Sequence, residues 1–72
     1  MQLRQILNLK LSFELAKAEG INYNVFDLST ILYNSLPVTQ QKLIHTELIE
    51  ADSRAEVIDI CINYCNEFIR GL

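Results

Sequence analysis

The chain has 72 residues, half of them hydrophobic, and a formal net charge of −3. A chain this short buries only about 60% of its unfolded surface, so we expect a single domain, residues 1–72, of marginal stability. The high apolar content, with only two glycines and one proline, excludes a disordered or low-complexity chain. The basic residues are few and scattered, which argues against nucleic-acid binding through a concentrated basic face.

The apolar run at the N-terminus is too broken for a targeting segment. Asn8 and Lys10 interrupt it, and no small-residue cleavage site follows. No stretch approaches the roughly 18 apolar residues of a membrane-spanning helix. We therefore expect a cytoplasmic protein with no membrane partner.

The pattern of apolar residues predicts an all-α fold, a small bundle of about four helices with the first and last longest. The first helix is predicted over residues 3–19, which are rich in Leu, Glu, Lys and Ala and contain neither Gly nor Pro. Gly20 fits the position after the helix, where a left-handed backbone is favoured. No segment alternates long enough to predict a strand.

The second helix is predicted over residues 25–35. Asn24 before it is a preferred N-cap residue, and Asp27 stands three positions later, as in a weak capping arrangement. Pro37 ends the helix and restricts Leu36 to an extended backbone.

The third and fourth helices are predicted over residues 40–51 and 54–70. Thr39 is the preferred N-cap of the third helix. Ser53 and Glu56 form a capping box that opens the fourth helix, in which the hydroxyl and the carboxylate bond opposite backbone amides. Alternatively the two helices are continuous, since neither Gly nor Pro separates them.

The last helix has more apolar surface than one core requires. Its polar residues occupy one narrow strip, and apolar residues cover the rest of its circumference. An ordinary surface helix needs only one apolar stripe. A partner surface on this helix would explain the excess.

The first helix has two apolar stripes on nearly opposite sides. One contains Leu3, Leu7, Leu11, Leu15 and Ala18. The other contains Ile6, Leu9, Phe13 and Ala16. We expect the leucine stripe to face the core. The residues expected to remain uncovered, and hence the candidate interface, are Ile6, Leu9, Phe13, Ile60 and Tyr64. The alternative is that the bundle wraps the first helix on both sides.

The two cysteines, Cys61 and Cys65, lie on one face of the last helix. Their spacing places the Cβ atoms about 5–6 Å apart, too far for an undistorted disulfide. A structural metal site needs three or four ligands, and the chain has one histidine, His45. We therefore expect buried, reduced core cysteines and neither metal nor cofactor.

Acidic residues cluster around the predicted junction of the last two helices. The candidate acidic face consists of Glu47, Glu50, Asp52, Glu56 and Asp59. It is either a solvated surface with capping roles or a face that steers a basic partner.

The sequence predicts a non-enzymatic protein-interaction module: a small regulator, adaptor, chaperone or inhibitor. Its expected partner is a second copy, as a homodimer, or one dedicated protein. The alternative is a small DNA-associated transcriptional regulator that uses the helix starting near Thr39. A third reading is an enzyme using His45 or a cysteine, although no phosphate-binding loop, nucleophile motif or metal motif is present.

Overall fold

The computed structural model describes residues 2–19 and 24–71. These residues form four helices and no strand, which confirms the all-α prediction. The helices are α1 (Leu3–Glu19), α2 (Val25–Ser35), α3 (Val38–Glu50) and α4 (Arg54–Arg70). The first and last are the longest, at 17 residues each. The helix α1 ends at Glu19, as predicted. Gly20, predicted to follow it with a left-handed backbone, lies outside the described residues.

Two helices begin at the predicted side-chain caps. The Asp27 amide donates to the Asn24 side chain at 3.2 Å, and the Glu56 amide donates to the Ser53 hydroxyl at 3.2 Å. The Glu56 carboxylate also reaches back, but it accepts from the amide of Asp52, at 2.5 Å. The Ser53 cap is therefore confirmed, and the reciprocal bond of the capping box is made one residue earlier than in the standard pattern.

The prediction of Thr39 as the N-cap of α3 is wrong. The helix starts at Val38, and Pro37 is its N-cap, with no side-chain bond. Pro37 contributes its carbonyl, which accepts from the Gln41 amide at 2.9 Å. Its ring fixes φ at a value that suits helix entry, and its missing N–H is not needed there.

The helices α3 and α4 are separate. Ala51 follows α3 with φ −67° and ψ 133°, an extended backbone that breaks the helix. The third helix thus ends at Glu50, one residue before the predicted end. The alternative of one continuous helix is therefore wrong.

The helix α1 packs mainly on α4 and less extensively on α2. Among the described residues, no Cα atom of α1 lies within 8 Å of a Cα atom of α3, so these two helices are not adjacent in the bundle. The hydrophobic core contains buried residues from all four helices. Its members are Ile6, Leu9, Phe13, Ala16, Leu32, Leu36, Ile44, Ile58, Cys61 and Cys65.

The prediction of which α1 stripe faces the core is wrong. Phe13 is fully buried and its stripe neighbours are buried, while the leucine stripe is largely exposed. Phe13 and Ile6 share their cluster with the smaller Cys61 and Cys65 of α4. We attribute the choice of stripe to size complementarity, because large side chains on one helix can fill the space that small side chains leave on the other. A count of apolar residues per stripe does not contain that information.

Candidate interaction surfaces

The first exposed apolar surface is a row of leucines on α1, here called the leucine ridge: Leu3, Leu7, Leu11 and Leu15. The exposed fractions of the first three are 49%, 45% and 54%. Leu15 is half-buried. The ridge lies opposite the buried stripe of α1, and its first three leucines remain about half exposed.

The second exposed apolar surface is a groove of about 650 Å³ between α2, α3 and the start of α4. We call it the α2–α3 groove. Its lining residues are Val25, Phe26, Ser29, Thr30, Tyr33, His45, Leu48, Ile49, Arg54 and Val57. Phe26 on one wall is 76% exposed, and Ile49 on the other is 68% exposed.

The α2 wall of this groove is more apolar than its sequence indicates. The hydroxyls of Ser29 and Thr30 both donate to the carbonyl of Phe26, at 2.9 and 3.0 Å. Because both hydroxyls are hydrogen-bonded to their own helix, the two side chains present mainly carbon atoms to the groove.

An aromatic contact and a side-chain hydrogen bond join the two walls. The rings of Tyr33 and His45 meet edge to face with centroids 6.4 Å apart. The Gln41 side chain donates to the Tyr33 carbonyl at 2.9 Å. These contacts hold α3 against α2 and fix the spacing of the walls. His45 is exposed and lines the groove.

Sequence reasoning missed this groove because its residues come from three helices. One signal was available on α3, where Val38, Lys42, His45 and Ile49 recur at intervals of four, three and four residues. Such spacing places them on one face. All four are exposed.

The predicted interface on the Phe13 side of α1 is not a surface of the folded chain. Ile6, Leu9 and Phe13 are buried, and the prediction that they remain uncovered is wrong. Ile60 and Tyr64 are partly buried and pack against the same core. The bundle covers this stripe because α4 and α2 both pack on α1.

The five acidic residues of the candidate acidic face are exposed, but three of them have separate intramolecular partners. Asp59 accepts from Lys17 of α1 at 2.6 Å. Glu47 accepts from the Tyr64 hydroxyl, and Glu56 caps the start of α4. These contacts favour local structural roles over one shared binding face.

The surroundings of Tyr64 raise the pKa of its hydroxyl above the ordinary value. Partial burial, followed by its hydrogen bond to Glu47, raises the pKa of Tyr64 to about 12. The bond joins α4 to α3, so Tyr64 has a role inside the bundle. Its hydroxyl and part of its ring are therefore occupied within the chain, although Tyr64 was predicted to belong to the interface.

The cysteines are free and buried in the core. Burial, and then the neighbouring Cys65, raises the pKa of the Cys61 thiol to about 12. Burial is also the largest cause that raises the pKa of Cys65, to about 11. Thiols protonated to this degree are poor nucleophiles and poor metal ligands. Within residues 2–19 and 24–71, no group of three or more His, Cys, Asp or Glu is arranged to hold a metal.

No protein-family model, curated protein or solved structure matches this chain. Within the part of the chain that the structure describes, no helix combines the length and the apolar character required to cross a bilayer.

Proposed function

We propose that the protein is a non-enzymatic interaction module, a small regulator, adaptor, chaperone or inhibitor, that pairs with a second copy through the leucine ridge. The observation that carries the proposal is the exposure of Leu3, Leu7 and Leu11. The buried, protonated thiols support the non-enzymatic part, because reactive cysteines need a lowered pKa.

The ridge has a geometry suited to helix pairing. Residues four apart form a continuous row on a helix, and such rows pack into the grooves of a second helix at a crossing angle of about −50°. A two-fold axis through the middle of the ridge brings the same leucines together from both copies, which closes the assembly as a dimer.

The free energy available is moderate. Full burial of a leucine contributes about 1.5–3 kcal/mol, and the ridge leucines are already about half covered. A single helix face is also smaller than the roughly 800 Å² per partner of a standard interface. We therefore expect a weak dimer whose population depends on protein concentration.

The test compares two lysine substitutions at exposed leucines. Leu11→Lys changes the ridge, and Leu43→Lys changes α3, where Leu43 is 60% exposed. In sedimentation velocity over a wide concentration range, wild type and Leu43→Lys are expected to dimerise and Leu11→Lys to remain monomeric. Both variants should keep the wild-type helical circular dichroism, because neither site is buried. A wild-type monomer at all concentrations would refute the proposal.

The alternative, a DNA-associated regulator that reads DNA with α3, gains no support from the geometry. The Gln41 amide is already bonded to the Tyr33 carbonyl. Exposed Glu47 and Glu50 on the same helix would repel phosphates.

A further inference from the structure

We propose that α3 is a detachable lid, which opens as a unit while α1, α2 and α4 stay packed on one another. This goes beyond the proposed function, because it concerns a movement of the fold and involves no residue of the leucine ridge. Opening would uncover the sides of α2 and α4 on which α3 lies, and would expose the inner face of α3. Segments that open before the rest of a protein are those with few buried apolar contacts of their own.

The position of α3 in the bundle allows it to detach. The helices α1, α2 and α4 all approach one another closely, whereas among the described residues α3 approaches only α2 and α4. Loss of α3 would therefore leave a three-helix unit in which every pair of helices still packs. Of the ten buried apolar residues in the described core, Ile44 alone comes from α3. The three-helix unit keeps the others.

The backbone on both sides of α3 is extended and can act as a hinge. Leu36 has φ −84° and ψ 152°, and Pro37 has φ −58° and ψ 153°. At the other end Ala51 has φ −67° and ψ 133°. Neither α2 nor α4 continues into α3 as one helix, so α3 can lose its helical conformation without disturbing the turns of its neighbours.

The helix α3 has little stability of its own. It has 13 residues, and an isolated helix shorter than about 12–15 residues is marginal in water. No side chain caps its N-terminus, and its last turn contains Glu47 and Glu50 but no basic residue, which opposes the helix dipole. Its β-branched residues lower its helix propensity further. They are Val38, Thr39, Ile44, Thr46 and Ile49. A detached α3 would therefore unfold.

The apolar packing that holds α3 in place is limited. Val38, Leu43 and Ile49 are mostly exposed, so their burial contributes little to docking. Ile44 is fully buried and Leu48 is half-buried. The apolar part of the docking free energy thus comes mainly from two side chains.

Hydrogen bonds to the neighbouring helices fix the closed position of α3. The Gln41 side chain donates to the Tyr33 carbonyl at 2.9 Å, and the Tyr64 hydroxyl donates to Glu47 at the surface. Water can replace these partners when α3 opens, so the net contribution of each bond to stability is small. The bonds orient the lid and still permit it to open.

Amide hydrogen exchange followed by NMR, at a concentration where the chain is monomeric, separates local opening from global unfolding. In wild type the Ile44 amide is expected to exchange at least about tenfold faster than the Phe13 amide of α1. Low concentrations of urea should accelerate Phe13 more strongly than Ile44, because local opening exposes less surface than global unfolding. Similar rates with similar urea dependences would overturn the proposal. A Leu32 amide as fast as Ile44 would mean that α2 leaves with α3, which would also overturn it.

A matched pair of glycine substitutions at exposed helix positions tests the same scheme. Asn63→Gly weakens α4, which is helical whether α3 is closed or open, so it should accelerate the Phe13 amide about twofold and leave the Ile44 amide unchanged. Lys42→Gly weakens α3 and should accelerate both amides about threefold, because both openings include the loss of α3. Equal acceleration of the two amides by Asn63→Gly would mean that a single global opening exposes them both, and would refute the lid.

Discussion

The two apolar stripes of α1 have opposite fates in the folded chain. The stripe of Ile6, Leu9 and Phe13 is buried against α4 and α2, while the leucine ridge on the other side faces outward. Both stripes have helical spacing, and the leucine stripe is the longer of the two. The comparison teaches that periodicity identifies a surface able to pack, and that complementarity with the opposing helix decides which surface packs inside.

The sharpest way to test this comparison is to truncate one residue from each stripe. Phe13→Ala should lower the free energy of unfolding by about 3–5 kcal/mol, because it leaves a cavity in the core. Leu7→Ala should lower it by less than about 1 kcal/mol, because the side chain is already about half exposed. Urea denaturation monitored by circular dichroism, at a concentration where wild type is monomeric, measures both.

Similar losses at the two positions would mean that both stripes contribute to one core. Because Phe13→Ala can unfold so small a domain, Phe13→Leu serves as a milder variant. It should reduce stability by a smaller amount and still exceed the effect of Leu7→Ala.

Substitutions at the cysteines test the α4 side of the core, which packs against the buried stripe of α1. Cys61→Ser should reduce stability by about 1–3 kcal/mol, because it buries a hydroxyl without a prepared partner. Cys61→Ala should reduce it less, since it removes only the sulfur from the core. If serine were tolerated as well as alanine, water would reach this part of the core. Equilibrium denaturation in urea, with reductant present, distinguishes the two results.

The raised pKa values of the same two thiols predict that the fold loses stability in alkaline solution. In the unfolded chain a thiol ionises near pH 8.5, whereas the pKa values of Cys61 and Cys65 in the fold are raised to about 12 and about 11. Their contribution is therefore complete below about pH 8.5 and is lost as pH rises towards those higher values, because the unfolded state releases its protons first.

Urea midpoints at about pH 8 and about pH 10 measure this loss. A double variant, Cys61→Ala with Cys65→Ala, should lose less stability between the two pH values than wild type. An equal loss would assign the alkaline sensitivity to other groups, such as Tyr64.

The last prediction concerns the start of α4, the helix that covers the buried stripe. Ser53→Ala should reduce stability by about 0.5–2 kcal/mol, and Ser53→Gly by a few tenths. Thr39→Ala is the control, because α3 has no side-chain cap and Thr39 is exposed within it. Thermal unfolding compares all three. An effect of Thr39→Ala as large as that of Ser53→Ala would contradict the cap assignments.

Local signals predicted the helices well where one short segment contains all the interacting atoms. The start of α4 followed from Ser53 and Glu56, and the end of α2 followed from Pro37. The start of α3 was predicted two residues too late, because Thr39 has a side chain suited to capping, whereas the helix begins at Val38 without a side-chain cap. The α2–α3 groove was missed because no single segment contains it.

The sequence by itself determined the four helices, the capping residues of α2 and α4, and the burial of the two cysteines. These depend on spacing, on side chains within a few residues and on apolar character. Only the tertiary structure decided which face of α1 is inside, how α3 and α2 form a groove, and which partners the acidic side chains take. Those outcomes depend on the fit of side chains far apart in the chain, and a one-dimensional pattern of apolar residues does not record their shapes.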